Sequence, residues 1–443
     1  MTPSELQSQP QNFDNQGFSA FRDQLREPEW LRVARADAWQ TFLSLDWPSR
    51  KSEEWMRSDL RAFKLDQFHM PRPTAVVDHE HGAGIPHWLD EGVELAGGIA
   101  TVDGVCVASR LSDRWSQRGV LLGDLSEMAS DAEAIVRKYL FGIVRPEQDR
   151  FSALHAATFS GGHFVYVPRG VCLDQPIHLS VGMTDGGTDT GHTLIVIESG
   201  AEATVLHESN SCSASAKGLH LGAVEIVVKP GGHLRYVNLQ DWGRSVWHFA
   251  HQRATVDRDA SLQWTIAALG SRFAQVSQKV SLVGPGADCQ VNGVLFTQDQ
   301  QQLTYNTLQH HEAPSCRSDF LYKAALQDKS RTVWRGMIEV DPLAQRTDGY
   351  QRNDNLLLSE HARSDSIPGL EIQADDVRCT HGSTSGKIDE ELIFYAQSRG
   401  FTRKEAARMI VTGFFQQIFD RITIDSVRDA LGQAIARQVR EYQ

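Results

Sequence analysis

Cys379 and His381 flank Thr380 in the run RCTHGSTSGKI (378–388). On an extended backbone, residues two apart project from the same side. A thiolate beside an imidazole suits a soft or borderline metal, iron in a cluster included. Two ligands leave a tetrahedral site half built, so either the pair is structural or a second chain supplies the rest. The same run ends in GSTSGKI (382–388), which imitates a phosphate-binding loop. It has three residues between Gly382 and Gly386, and Ile388 stands where a hydroxyl must follow the lysine. Both departures argue against nucleotide binding there.

Other clusters are weaker. DHEHGAGIPH (78–87) gathers His79, His81 and His87 with Glu80. His79 and His81 share a face and could chelate a divalent ion, although polar loops produce such clusters by chance. His310 and His311 are adjacent and point to opposite faces of a strand, which favours a structural or exposed role. The six cysteines, Cys106, Cys172, Cys212, Cys289, Cys316 and Cys379, form no CxxC. Neither a disulfide framework nor a self-contained zinc or cluster site is expected. Cys172, Cys212 and Cys289 lie in strand-like runs and read as small buried hydrophobes. No GxSxG elbow or dinucleotide fingerprint is present, so the chain is not read as an enzyme.

What must position these residues follows from the whole chain. At 443 residues it exceeds one compact core. A net charge of −12 argues against nucleic acid and anionic membrane as partners. With 41% hydrophobic and 23% charged residues the composition is that of an ordinary soluble chain. No run approaches a membrane span, and the N-terminal residues lack the pattern of a signal peptide, so a cytoplasmic location is expected.

Three zones are expected: a mixed, partly helical front (1–145), a turn-rich middle (146–388) and a helical tail (389–443). In the front, Leu31, Ala34, Ala38 and Phe42 recur at helical spacing over Glu29–Leu45, and 123–140 returns to helix. The middle carries strand-like runs at HTLIVIES, AVEIVVK, HLRYVNLQ, SLQWTIAAL and CQVNGVLF. In SLQWTI, Leu262, Trp264 and Ile266 alternate with Ser261, Gln263 and Thr265. Similar turns place Gly200, Gly231, Asp259 and Gly286 in register, at spacings of 31, 28 and 27 residues. Strands recurring at such a period without intervening helices suggest the coils of a β-solenoid, with a sandwich or barrel as the rival.

The tail reads as three helices. Asp389 is placed to cap the first, Gly400 to stop it, and Thr402 with Glu405 to form a capping box for the second. That second helix carries Ala406, Met409, Ile410, Phe414 and Ile418 on one face, with Val411, Phe415 and Phe419 alongside. The third shows Val427, Leu431, Ala434, Ile435 and Val439. The second helix has more apolar circumference than packing on the third requires. The surplus is either internal packing or a docking face.

FSALHAATFSGGHFVYVPRGV (151–171), EEWMRSDL (53–60) and RCTHGSTSGKIDEELIFYAQSRGFTRKEAARMIVTGFF (378–415) together resemble the SufB/SufD family of iron–sulfur cluster assembly scaffolds. The resemblance covers essentially the whole chain. It implies a mainly β fold, a right-handed parallel β-helix core between an N-terminal helical region and a C-terminal helical domain. B-type scaffolds carry a cluster-related cysteine in a motif like QCDSLLIG, followed by EHEATTSKI. Here QRNDNLLLS (351–359) has Asn353 where that cysteine would be, and Thr380 and Gly382 replace the two glutamates around His381.

The chain is therefore similar to the SufD-type branch. The resemblance implies a non-catalytic scaffold that pairs with SufB through the β-helix and holds the SufC ATPase through its C-terminal helices. His381, with Cys379 beside it, is implied to face the SufB cysteine, where a nascent iron–sulfur cluster or its iron is held transiently. ATP enters only through SufC, and no flavin is assigned. Met409, Ile410, Phe414, Phe415 and Ile418 are the candidate SufC-docking residues. Two alternatives stand beside this reading: a self-sufficient homodimeric scaffold, and more remotely a β-helix carbohydrate-active enzyme.

Overall fold

The computed structural model describes residues 11–72, 89, 92–422 and 424–439. β1 (Gly97–Val102) and β2 (Val105–Leu111) form an antiparallel hairpin, followed by β3 (Leu121–Asp124). The chain then winds through β4 (Gly162–Val167), β5 (Ile177–Met183), β6 (Gly187–Asp189), β7 (His192–Ile197), β8 (Glu202–Ser211), β9 (Lys217–Val228), β10 (His233–Asp241) and β11 (Ser245–Val256). It continues through β12 (Ser261–Ala268), β13 (Phe273–Leu282), β14 (Asp288–Thr297), β15 (Gln302–His311), β16 (Arg317–Leu326) and β17 (Arg331–Val340). β18 (Thr347–Leu357), β19 (Arg363–Ile372) and β20 (Val377–Lys387) close the series.

From β7 on, successive strands alternate between two sheets. The first runs β2-β1-β5-β8-β10-β12-β14-β16-β18-β20 and the second β19-β17-β15-β13-β11-β9-β7-β4-β3, with β6 beside β9. From β8 on, each strand pairs in parallel with the strand one coil away and never with its sequence neighbour. That pattern separates a solenoid, here of about eight turns, from a sandwich.

The corner residues explain the period. Gly200, Gly231, Asp259 and Gly286 all adopt left-handed backbone, with φ of 69, 65, 54 and 76°. Each amide donates to a carbonyl one coil further on: Gly200 to Pro230, Gly231 to Arg258, Asp259 to Pro285, Gly286 to Pro314. Ser315 and Arg346 continue the ladder with φ of 61 and 59°, so the tight corner persists where glycine does not mark it. Inside, Leu262, Trp264 and Ile266 are fully buried in the main core, as their alternation predicts.

Helices brace the two outer faces. α1 (Asn15–Arg22), α2 (Glu29–Ser44), α3 (Asp113–Ser116), α4 (Leu125–Asp131), α5 (Glu133–Tyr139) and α6 (Arg150–Thr158) precede or flank the early coils. The span read as one helix over 123–140 is two, broken at Ala132. Phe21, Trp39 and Phe151 pack with Leu219, Trp247, Phe249 and Phe273 on the outside of the second sheet. EEWMRSDL crosses that face: Trp55 stacks on Phe151, and Ser58 donates to Gln275 at 2.6 Å. The carbonyl of Glu54 accepts from the amides of Gln275 and Asn306.

The tail, α7 (Glu390–Ser398), α8 (Arg403–Phe419) and α9 (Asp425–Gln438), covers the first sheet instead. Asp389 caps α7, Gly400 has φ 95°, and the Thr402–Glu405 capping box opens α8. Ala407, Val411, Phe415, Ile418 and Phe419 pack against α9 and against Val237, Leu239, Val294, Phe296 and Leu321 of the sheet. The sequence left the surplus apolar surface of α8 open between internal packing and a docking face; most of it lies on the chain's own solenoid. Among the described residues no helix is long and apolar enough to cross a membrane.

Candidate functional site

The solenoid ends abruptly. β19 and β20 are the outermost strands of their sheets, 10 and 11 residues long, each paired on one side only. Their faces that continue the interior of the coil below therefore have no coil above them. Leu370 and Ile372 on β19 are 37% and 39% exposed, although their register partners Ile338 and Val340 are fully buried.

Cys379 and His381 belong to this rim. In register they stand over Gly349 and Gln351 of β18. Gln351 is fully buried and points inward, its amide donating to the carbonyls of Gly336 and Gly369. A Cβ on Gly349 would meet the Cys379 sulfur at 3.3 Å. The pair thus shares the inward-facing side of the last coil, as the spacing predicted. His381 is exposed and Cys379 half-buried. Partial burial pushes the Cys379 thiol up, with Asp348 adding to the effect, so the isolated chain favours the protonated thiol. GSTSGKI lies almost wholly within β20, where successive amides point in opposite directions and cannot converge on a phosphate.

Asn353 sits one coil in, 2% exposed. Its oxygen accepts from Ser366 and from Asn355 at 2.8 Å, and its amide donates to the Tyr322 carbonyl. The position thus holds a satisfied polar network in the mouth of the lumen.

The candidate docking residues are divided. Met409 is 54% exposed, Ile410 and Phe414 are half-buried, and Phe415 and Ile418 are fully buried. Phe415 and Ile418 have no surface to offer a partner, which corrects their place in that set. Among the described residues of the tail, Leu392, Phe394 and Tyr395 on α7, Phe401 and Met409 are instead the large exposed apolar side chains.

The sequence reading missed the polar lumen. His163, His207, His220 and His248 line an internal cavity of about 40 Å³ together with Asp189, Asn238 and Gln252. Burial pushes all four imidazoles down, His207 and His248 to about 3, and pushes Asp189 up to about 7. Beside the lumen, His155 Nε2 lies 3.1 Å from His192 Nδ1, and His192 Nε2 lies 3.0 Å from Glu225. Glu225 also accepts the amides of Phe141, Ile143 and Val144. This relay is fully enclosed and ties α6 to the sheet, so it is a structural brace. Isolated histidines in strands carry no periodic signal, and only their burial identifies them.

Two further expectations are resolved. His310 and His311 do face opposite ways; His311 is fully buried and bonds Ser318 at 2.7 Å. Cys289 is buried, but Cys172 and Cys212 are exposed because they fall outside the regular strands. His79, His81 and His87 lie outside the described residues.

Residues 180–414 match the family described as SUF system FeS cluster assembly, SufBD core domain, and residues 95–179 match the SufBD protein N-terminal region. An iron–sulfur cluster assembly SufBD family protein of Staphylococcus epidermidis is 27% identical over 399 residues, spanning 88% of this chain and 85% of that one. A protein of the same description from Mycobacterium leprae is 33% identical over 300 residues, 66% of this chain and 75% of the relative.

Proposed function

The chain belongs to the SufBD family of iron–sulfur cluster assembly proteins, and we propose that within it the chain is the SufD-type, non-catalytic scaffold of a SufBCD-type complex. The observation that carries this reading is the open end. Two long edge strands and an uncapped interior are a liability for a lone chain. The surface that best completes them is another solenoid end, adding strands to both sheets at once. A SufB partner meeting β19 and β20 would bring its cluster-related cysteine to a rim that already carries His381 and Cys379.

Asn353, Thr380 and Gly382 support the SufD-type assignment, because this chain lacks the thiol and carboxylates of a primary cluster site. The nascent cluster is the cargo here. Neutral imidazole is a reasonable iron ligand, and iron binding would displace the proton that the Cys379 thiol retains. The helices within 1–145 would brace the β-helix of 146–388, whose sheets β1, β2 and β3 extend, and 389–443 would carry SufC, the source of ATP turnover, in the cytoplasm. The exposed set Leu392, Phe394, Tyr395, Phe401 and Met409, with Ile410 and Phe414 behind it, is the docking face that fits this role.

The test is to mix the purified chain with a purified SufB and size the products. A stable one-to-one heterodimer is expected, weakened by Leu370→Lys with Ile372→Lys. A homodimer that persists unchanged in excess SufB would support the self-sufficient scaffold and overturn the proposal.

A further inference from the structure

We propose that His310, Glu339 and Asp341 form a binding site for a divalent first-row transition cation on the outer face of the second sheet. His310 on β15 is the register partner of Glu339 on β17, so the two side chains stand side by side on adjacent parallel strands. Asp341 follows the end of β17, its amide fixed by the His311 carbonyl at 3.0 Å. Nε2 of His310 lies 3.1 Å from an Asp341 oxygen and 3.9 Å from a Glu339 oxygen. Among the described residues, this is the one group of three metal-capable side chains whose ligand atoms all lie within 4.8 Å of one another.

The other ring nitrogen supplies an independent argument. Nδ1 of His310 lies 2.9 Å from a Glu312 oxygen. That contact is an ion-pair approach, with Nδ1 not yet in hydrogen-bonding geometry. A cation on Nε2 would leave the ring proton on Nδ1 for Glu312 to accept, the carboxylate–imidazole arrangement that fixes tautomer and ring orientation at metal centres. Three carboxylates around one imidazole keep the cluster negative whether or not the ring is protonated; Lys279 is the neighbouring cation acting on both His310 and Glu312. Side-chain exposures of 14, 32 and 37% for His310, Glu339 and Asp341 leave a path for an ion and for water ligands. One nitrogen with carboxylate oxygens suits Mn(II), Fe(II) or Zn(II); the imidazole disfavours Mg(II) and Ca(II), and the absence of sulfur from the set disfavours Cu(I). The site lies on the opposite sheet from Cys379 and His381 and does not depend on their role.

Equilibrium dialysis of the chelator-treated full chain against Mn(II) tests this. One equivalent is expected to bind. Glu339→Gln with Asp341→Asn should lose it, and Cys379→Ser with His381→Ala should keep it. Glu312→Gln should keep the stoichiometry while weakening affinity roughly 10–100-fold, the effect of removing an orienting carboxylate. Thermal melts check that each variant is folded, and the single Asp341→Asn variant replaces the double one if that fails to fold. A wild-type chain that takes up no Mn(II), or a folded Glu339/Asp341 variant that binds as wild type does, shows an ion-pair cluster alone and overturns the proposal.

Discussion

His381 and Asn353 are neighbours in the last coils and respond to opposite physics. His381 is exposed on an edge strand, so shortening it opens no cavity. His381→Ala should shift unfolding stability by less than ~0.5 kcal/mol in the isolated chain. If the rim holds cargo, the same variant in complex with SufB should contain less iron and acid-labile sulfide. Unchanged metal content in an intact complex would remove His381 from the site. Asn353 is the reverse case. Asn353→Ala strips a shared acceptor from Ser366 and Asn355 and a donor from the Tyr322 carbonyl, all within a buried network. Leaving such groups unpaired costs about 1–3 kcal/mol, which urea unfolding would register while the surface of the rim stays unaltered.

At the scale of elements, α8 holds one face to the solenoid and α7 turns its own outward. Phe415→Ala removes a fully buried ring between helix and sheet and should cost about 3–5 kcal/mol. Phe394→Asp with Leu392→Asp changes side chains that are 73% and 52% exposed, and should leave the melting temperature nearly unchanged while abolishing SufC binding in a pull-down. Deleting 389–443 is a poorer experiment, because it would uncover Val237, Leu239, Phe296 and Leu321 and expose the first sheet. This division was not legible in the sequence. The caps at Asp389, Thr402 and Gly400 were, because capping is local chemistry. So were the corners at Gly200, Gly231, Asp259 and Gly286, because a left-handed turn selects its residues. Which apolar stripe of α8 faces inward depends on strands as far back in the chain as Leu206 and Val237, and helical periodicity carries no record of them. The Cys379–His381 pair was legible because alternation along a strand is local. The exposure of that pair was not, since it depends on where the coil stack stops.

At the scale of the whole molecule, the histidines buried in and beside the polar lumen make stability depend on pH. His155, His163, His207, His220 and His248 are all held below the usual imidazole value, chiefly by burial, and His311 is pushed down to about 4. In the folded chain these rings stay neutral; once unfolded they take up protons below about pH 6.5. The unfolded state then binds more protons, so stability is complete above that pH and falls as pH drops toward the folded values. Each ring contributes a slope of at most about 1.4 kcal/mol per pH unit within that window. Asp189 opposes them: burial lifts it to about 7, so the folded state holds a proton there that the unfolded carboxyl releases. His310, raised by Glu312 beside it, opposes them as well. Asp103, Asp241 and Asp288, also raised by burial, act in the same direction as Asp189. The depressed histidines still outnumber these groups, and the net sign is acid destabilisation. Urea midpoints should be flat between pH 8 and 7 and fall steeply from pH 6.5 to 5, with His248→Gln flattening the slope by up to one histidine's share. Midpoints that stay level to pH 5 would mean that water in the lumen solvates the imidazolium forms, and that the interior is wet rather than sealed.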